Sequence, residues 1–225
     1  MDLAGSAGGL KIESYQAGRW AAAGGTTPWQ QAVRAVFRVP LAGAARATRD
    51  WAAILSPEER TRAAAFRFAE DREKFMASRG ALRMILASAL GDEPDALRFD
   101  YGPHGKPTLA TPWEGSGLCF NLSHSGDWTL IALSRGGLVG VDVEFHRPDL
   151  EFEKLARRFF SDSDCRRLLA LAPDETMPGF YRCWTRKEAY IKAVGGGLSI
   201  PLRNFDVSLE PNLPAAILAT RPDPL

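Results

Sequence analysis

Cysteine and histidine are scarce in this 225-residue chain, with three of each. Cys119, Cys165 and Cys183 are far apart, odd in number and without metal-ligand spacing. That excludes a disulfide scaffold or a zinc framework and fits a reducing compartment. The three histidines are not spaced like a zinc ligand pair either. No apolar run is long enough to span a membrane, and the first thirty residues, Gly/Ala-rich and broken by Lys11, Glu13 and Arg19, hold no secretory core. Charge of one sign is also missing: the formal net charge is +1, too small to argue for a nucleic-acid or membrane partner. There is no Walker-type loop, Rossmann fingerprint or nucleophile elbow. What is present, 45% hydrophobic and 24% charged residues, is ordinary for one large or two small soluble domains, expected in the cytoplasm.

Residues 1–30 read as a weakly ordered extension anchored only by Trp20 and Trp29. The alternation from Val33 to Val39 predicts a strand. Ser56-Pro57-Glu58-Glu59 then gives a cap, a proline at the first helical position and a capping-box Glu. A longer helix follows near Glu70, with Phe75, Leu82, Leu86 and Ala89 on one face and a stop at Gly91. The second half repeats this order: a strand from Val139 to Phe145, a helix started by Ser161 with Asp164, and a helix from Phe180 to Val194 ending at Gly195. Capping Ser and closing Gly are 35 residues apart in one half and 34 in the other, and an offset of 105 carries Ser56 onto Ser161 and Val36 onto Val141. The expected fold is therefore α/β (α+β): a pseudo-twofold pair of similar halves, each a mainly antiparallel sheet packed on a long helix. Domains are expected at 31–135 and 136–225. Under the offset, Phe37 takes the place of Asp142, so the acid is unique to the second half and chemistry is expected between unlike halves.

Two acidic features stand out. At helical pitch Trp184, Glu188 and Lys192 share a face, with Glu four residues before Lys in the favourable order. In Val139-Gly140-Val141-Asp142-Val143-Glu144, strand alternation puts Asp142 and Glu144 on one side. Two carboxylates framed by valines are costly unless a cation neutralises them. Between the halves, Gly105-Lys106-Pro107 presents a lysine from a restricted turn, suited to a phosphate or to an aromatic-ring ledge, and equally to a plain surface hairpin. Asn121, Ser123, His124 and Ser125 surround Leu122 at the end of an apolar strand, as in a compact anion site, although a lone histidine also serves structure. Trp128 to Leu133 returns as a strand.

Taken in order, Gly-Lys-Pro, Asn-x-Ser-His-Ser, Gly-x-Asp-x-Glu and Trp-x-x-Lys-Glu-Ala-x-x-Lys resemble the Sfp-type 4′-phosphopantetheinyl transferases from about Ser56 to Asp206. Arg157-Arg158-Phe159-Phe160-Ser161 and Gly195-Gly196-Gly197-Leu198-Ser199-Ile200-Pro201-Leu202 extend the likeness. The resemblance implies transfer of phosphopantetheine from coenzyme A to a serine of an acyl or peptidyl carrier protein, with release of 3′,5′-ADP. It implies Mg²⁺, with Mn²⁺ as a substitute, on Asp142, Glu188 and, directly or through water, Glu144. Glu188 is also the implied base for the carrier serine, and which of its two roles dominates stays open. Lys192 would meet the pyrophosphate. By the same resemblance His124 and Arg62 bind phosphates of coenzyme A, while Gly105, Lys106, Pro107 and Ser123 border the adenine and 3′-phosphate. Arg72 and Arg79 are weaker candidates, and Trp184 is expected to pack and fix its helix.

One departure concerns the end of the chain. The offset places a counterpart of the strand Trp128–Ser134 near positions 233–239, beyond Leu225, and Arg221-Pro222-Asp223-Pro224-Leu225 cannot form a central strand. An incomplete second sheet with an unpaired edge is expected, and a monomer unless that edge drives association. Two other classes share some of these features. A non-catalytic coenzyme A or carrier-binding module would bind without turnover, and a metal-dependent phosphohydrolase would need no carrier-docking surface.

Overall fold

The computed structural model describes residues 11–14, 34–42 and 50–221. The expected anchors Trp20 and Trp29, and Val33, lie outside these. The chain divides into two units at Val139/Gly140. Among the described residues, no helix is long and apolar enough to cross a membrane.

The first unit holds a four-stranded sheet in the order β1-β2-β6-β5, from β1 (Lys11–Ser14), β2 (Arg34–Pro40), β5 (Leu118–Ser125) and β6 (Trp128–Arg135). β2, β6 and β5 run antiparallel, while β1 pairs parallel with β2, Lys11 opposite Ala35. The expected weakly ordered extension thus contributes a strand, which its short, Gly/Ala-flanked pattern did not signal. On β2 the alternation is realised, with Ala35, Phe37 and Val39 buried. α1 (Pro57–Ala64) opens with a complete capping box, Ser56 and Glu59 each accepting from the other's backbone N–H. α2 (Ala69–Leu90) closes on Gly91, whose φ of 73° is the left-handed conformation glycine adopts without strain.

α2 differs from its expected one-faced pattern, being buried on all sides from Ala77 to Ala87. The sheet core packs against it together with Trp51, Leu97 and Leu109, and a Cβ on Gly80 would come within 2.1 Å of the Trp51 ring. Arg79 and Arg83 are caught in this packing. Glu59 accepts from Arg83 Nε at 2.6 Å and lies 3.4 Å from Arg79 Nε. Arg79, one of the weaker coenzyme A candidates, is therefore buried, its cationic head enclosed by Glu59, Phe99 and Tyr101. A small hairpin, β3 (Phe99–Tyr101) with β4 (Pro107–Leu109), completes the unit.

The second unit is built on α3 (Phe152–Phe159), α4 (Asp162–Leu169) and α5 (Pro173–Val194), with one antiparallel pair, β7 (Phe205–Val207) and β8 (Ile217–Thr220). Ser161 caps α4 by accepting from Asp164 N at 3.0 Å. α5 begins seven residues before the expected Phe180 and runs through Pro178-Gly179. That dipeptide reads as a turn, yet Gly179 serves close packing, since a Cβ there would meet Leu171 at 2.4 Å. Trp184 packs as expected, within an aromatic cluster with Phe159, Phe160 and Phe180.

One expectation is corrected here. Residues 139–147 carry neither helix nor strand assignment. Alternation reports which side chains prefer cover and does not by itself fix a regular strand. β8 at 217–220 pairs with β7 alone among the described residues, and Arg221 beside it grips Asp206 through two hydrogen bonds of 2.8 and 2.6 Å. The helices repeat between the units, with α2 and α5 both 22 residues long. The sheets do not repeat, with four strands in one and two in the other among the described residues.

Candidate active site

In the second unit, Gly140 lies directly on the backbone of α5. A Cβ there would sit 1.9 Å from Ala189 O and 2.4 Å from Ala193 N. This close approach brings the following residues onto the turn of α5 that carries Glu188 and Lys192. Lys192 Nζ donates to Asp142 Oδ1 at 2.6 Å, and the Asp142 carboxylate is only 4% exposed. Glu188 is half-buried and Glu144 exposed. Burial, then the charge of Asp142, pushes the Glu188 carboxyl above its ordinary range; Lys192 opposes this and Glu144 adds to it.

The donors here are carboxylate oxygens, a chemistry that suits a hard divalent cation. Among the described residues, however, no three His, Cys, Asp or Glu side chains are drawn together as a metal site. The expected set of Asp142, Glu144 and Glu188 is thus not assembled as three ligands, and the Lys192 ammonium holds Asp142 Oδ1 instead.

The remaining candidates lie in the first unit. Arg62, exposed near the end of α1, stacks over the Phe75 ring at 5.3 Å. Gly105, at φ 75°, closes a turn in which its N–H donates to Gly102 O at 2.9 Å. Lys106 follows, and burial pushes its ammonium below the usual lysine range. Pro107 is buried at the start of β4, opposite Tyr101. Ser123 is buried and His124 exposed at the end of β5, with His124 opposite Thr129. The Thr129 hydroxyl donates to Ser78 Oγ of α2 at 3.0 Å. Arg72 is exposed on the first turn of α2. In the sequence Gly140 stands only as a motif letter; the signal for its role is a glycine inside a valine alternation, which marks close backbone approach.

A profile of the 4′-phosphopantetheinyl transferase superfamily matches residues 138–223, and one of the 4′-phosphopantetheinyl transferase N-terminal part matches residues 45–135. The 4′-phosphopantetheinyl transferase HetI of Nostoc sp. is 41% identical over 182 residues, covering 81% of this chain and 76% of its own. The chain belongs to the Sfp-type 4′-phosphopantetheinyl transferase family. The transferase Sfp of Bacillus subtilis is 33% identical over 156 residues, covering 69% of this chain and 67% of its own. The transferase AcpT of Salmonella typhimurium is 38% identical over 135 residues, or 60% of this chain and 65% of its own. Every phosphopantetheinyl transferase motif residue named from the sequence falls inside the two matched segments.

Proposed function

We propose that this phosphopantetheinyl transferase moves the 4′-phosphopantetheine arm of coenzyme A onto a serine of an acyl or peptidyl carrier protein and releases 3′,5′-ADP. The observation that carries the reading is the contact of Lys192 with Asp142, beside a half-buried Glu188 on the same helix turn, within the family-matched segment. The serine oxygen attacks the β-phosphorus of the coenzyme A pyrophosphate, and the bond from that phosphorus to the departing 3′,5′-ADP oxygen breaks. Glu188 takes the serine proton, directly or through a water; burial and Asp142 raise its basicity toward what a general base needs. Lys192, steered by Asp142, offsets the charge that builds on the leaving phosphate. Asp142 and Glu188 would hold Mg²⁺ or Mn²⁺, with Glu144 directly or through water, and the ion would neutralise pyrophosphate charge.

In the first unit, Arg62 and His124 take phosphates of coenzyme A, while Gly105, Lys106, Pro107 and Ser123 border its adenine and 3′-phosphate. The reading includes a cytoplasmic monomer that needs neither nucleic acid nor membrane. Incubation with coenzyme A, Mg²⁺ and a panel of apo carrier proteins tests it. The carrier should gain the mass of one phosphopantetheine arm and 3′,5′-ADP should appear, both lost on chelation and restored by Mg²⁺ or Mn²⁺. Coenzyme A binding without any mass gain across the panel would point to a non-catalytic binding module.

A further inference from the structure

Residue Lys187, immediately before Glu188, is fully buried and carries a charge that the proposed chemistry does not use. Its Nζ meets Asp164 Oδ2 at 2.7 Å and Leu202 O at 2.7 Å, and it also donates to Phe205 O. An ammonium has three donors, and all three are thus engaged. Asp164 is itself 0% exposed and sits in the capped first turn of α4. Its Oδ1 lies 3.4 Å from both Arg167 Nη1 and Val207 N. One side chain of α5 therefore ties that helix to α4, to the 202–205 segment and to β7.

The energetics make this arrangement informative. A buried ion pair contributes little net stability compared with apolar residues of similar volume, because desolvation cancels most of the attraction. What it adds is direction, since each hydrogen bond weakens steeply off axis whereas apolar contact does not. Cys183, Lys187 and Ile191, at 0%, 0% and 3% exposure, form the buried stripe of α5. Trp184, Glu188 and Lys192 form the stripe one residue further on, so the roll of α5 about its axis sets where Glu188 and Lys192 point.

We propose that Lys187, locked by Asp164 and two backbone carbonyls, is a positioning residue that fixes the roll of α5 and thereby aims Glu188 and Lys192. This rests on the transfer reading above. The test compares wild type, the apolar pair Lys187→Met with Asp164→Leu, and Asp164→Asn, each measured for thermal midpoint, kcat and KM for coenzyme A with one apo carrier. The apolar pair orphans no buried charge, but Leu202 O, Phe205 O and Val207 N lose hydrogen bonds, so its midpoint should fall by several degrees; its folded fraction should lose kcat by about ten- to a hundredfold, as expected for a catalytic group displaced by up to an ångström. Its KM for coenzyme A should change by less than about threefold, because a transition-state interaction is lost and not ground-state binding. Asp164→Asn keeps an acceptor oxygen toward Lys187, and its folded fraction should retain kcat within about threefold. A folded apolar pair with native kcat overturns the proposal. So does a tenfold loss of kcat in folded Asp164→Asn, and that variant decides the matter if the apolar pair does not fold. A wild type that transfers nothing would instead sink the functional reading.

Discussion

Replacing Gly140 with alanine tests how the acidic segment is held against α5. The new methyl carbon would stand 1.9 Å from Ala189 O and 2.4 Å from Ala193 N, both backbone atoms of a helix interior that cannot swing aside. Even a weak C–H···O contact needs about 3.3 Å, so the segment or the helix must give by more than about an ångström. Overpacking of this kind costs about 1–3 kcal/mol, and about 2–4 °C of thermal midpoint accompanies each kcal/mol in a protein of this size. The displacement falls two residues before Asp142, whose carboxylate holds Lys192 at 2.6 Å. A shift of an ångström in such a constellation lowers turnover by about a hundredfold. Transfer kinetics and a thermal melt on Gly140→Ala should therefore show a modest fall in midpoint and a much larger loss of kcat, with coenzyme A affinity nearly unchanged. Wild-type kcat in this variant would refute the claim that close approach of Gly140 sets the position of Asp142.

Three further outcomes follow from particular groups. Hydrogen bonds from Arg167 hold the Glu210 carboxyl down to about 2 from its ordinary 4.5, so its folded-state pKa is depressed. Its stabilisation is then present above pH 4.5 and fades as pH falls toward 2, and the midpoint difference between wild type and Glu210→Gln should shrink over that window; a pH-independent difference would contradict the pairing. His124→Ala and Arg62→Ala should each weaken coenzyme A binding by about 1–3 kcal/mol, as for charge-assisted phosphate contacts. Normal calorimetric binding by an inactive His124→Ala would remove it from the anion site. Ser56→Ala should cost about 1 kcal/mol by leaving the α1 N-terminus without its capping box, and an unchanged denaturant midpoint would show that cap to be idle.

Caps and periodicity made the helices legible. Ser56-Pro57-Glu58-Glu59, Ser161 with Asp164, and the closing glycines Gly91 and Gly195 all act where local chemistry puts them, because a cap is decided by a few neighbouring atoms. The start of α5 was hidden by Pro178-Gly179, a local turn signal overridden by packing on Leu171. The parallel pairing of β1 was invisible, since a four-residue strand takes its place from a distant partner. Asp142 and Lys192, which come from separate motifs 50 positions apart, do meet in the structure. What spacing does not record is the partner each one chooses. Lys192, expected on a pyrophosphate, holds Asp142 here. Lys187, in the sequence only a letter of the Trp-x-x-Lys-Glu motif, is fully buried on Asp164, a contact 23 positions back in the chain.

The most direct test of the central claim is a side-by-side measurement on wild type and Glu188→Gln, reading coenzyme A affinity by calorimetry and carrier modification by intact mass in single turnover. If Glu188 acts on the carrier serine and on the ion, the variant should bind coenzyme A within about tenfold of wild type and lose transfer by at least about a thousandfold. Transfer by Glu188→Gln at the wild-type rate would contradict the account.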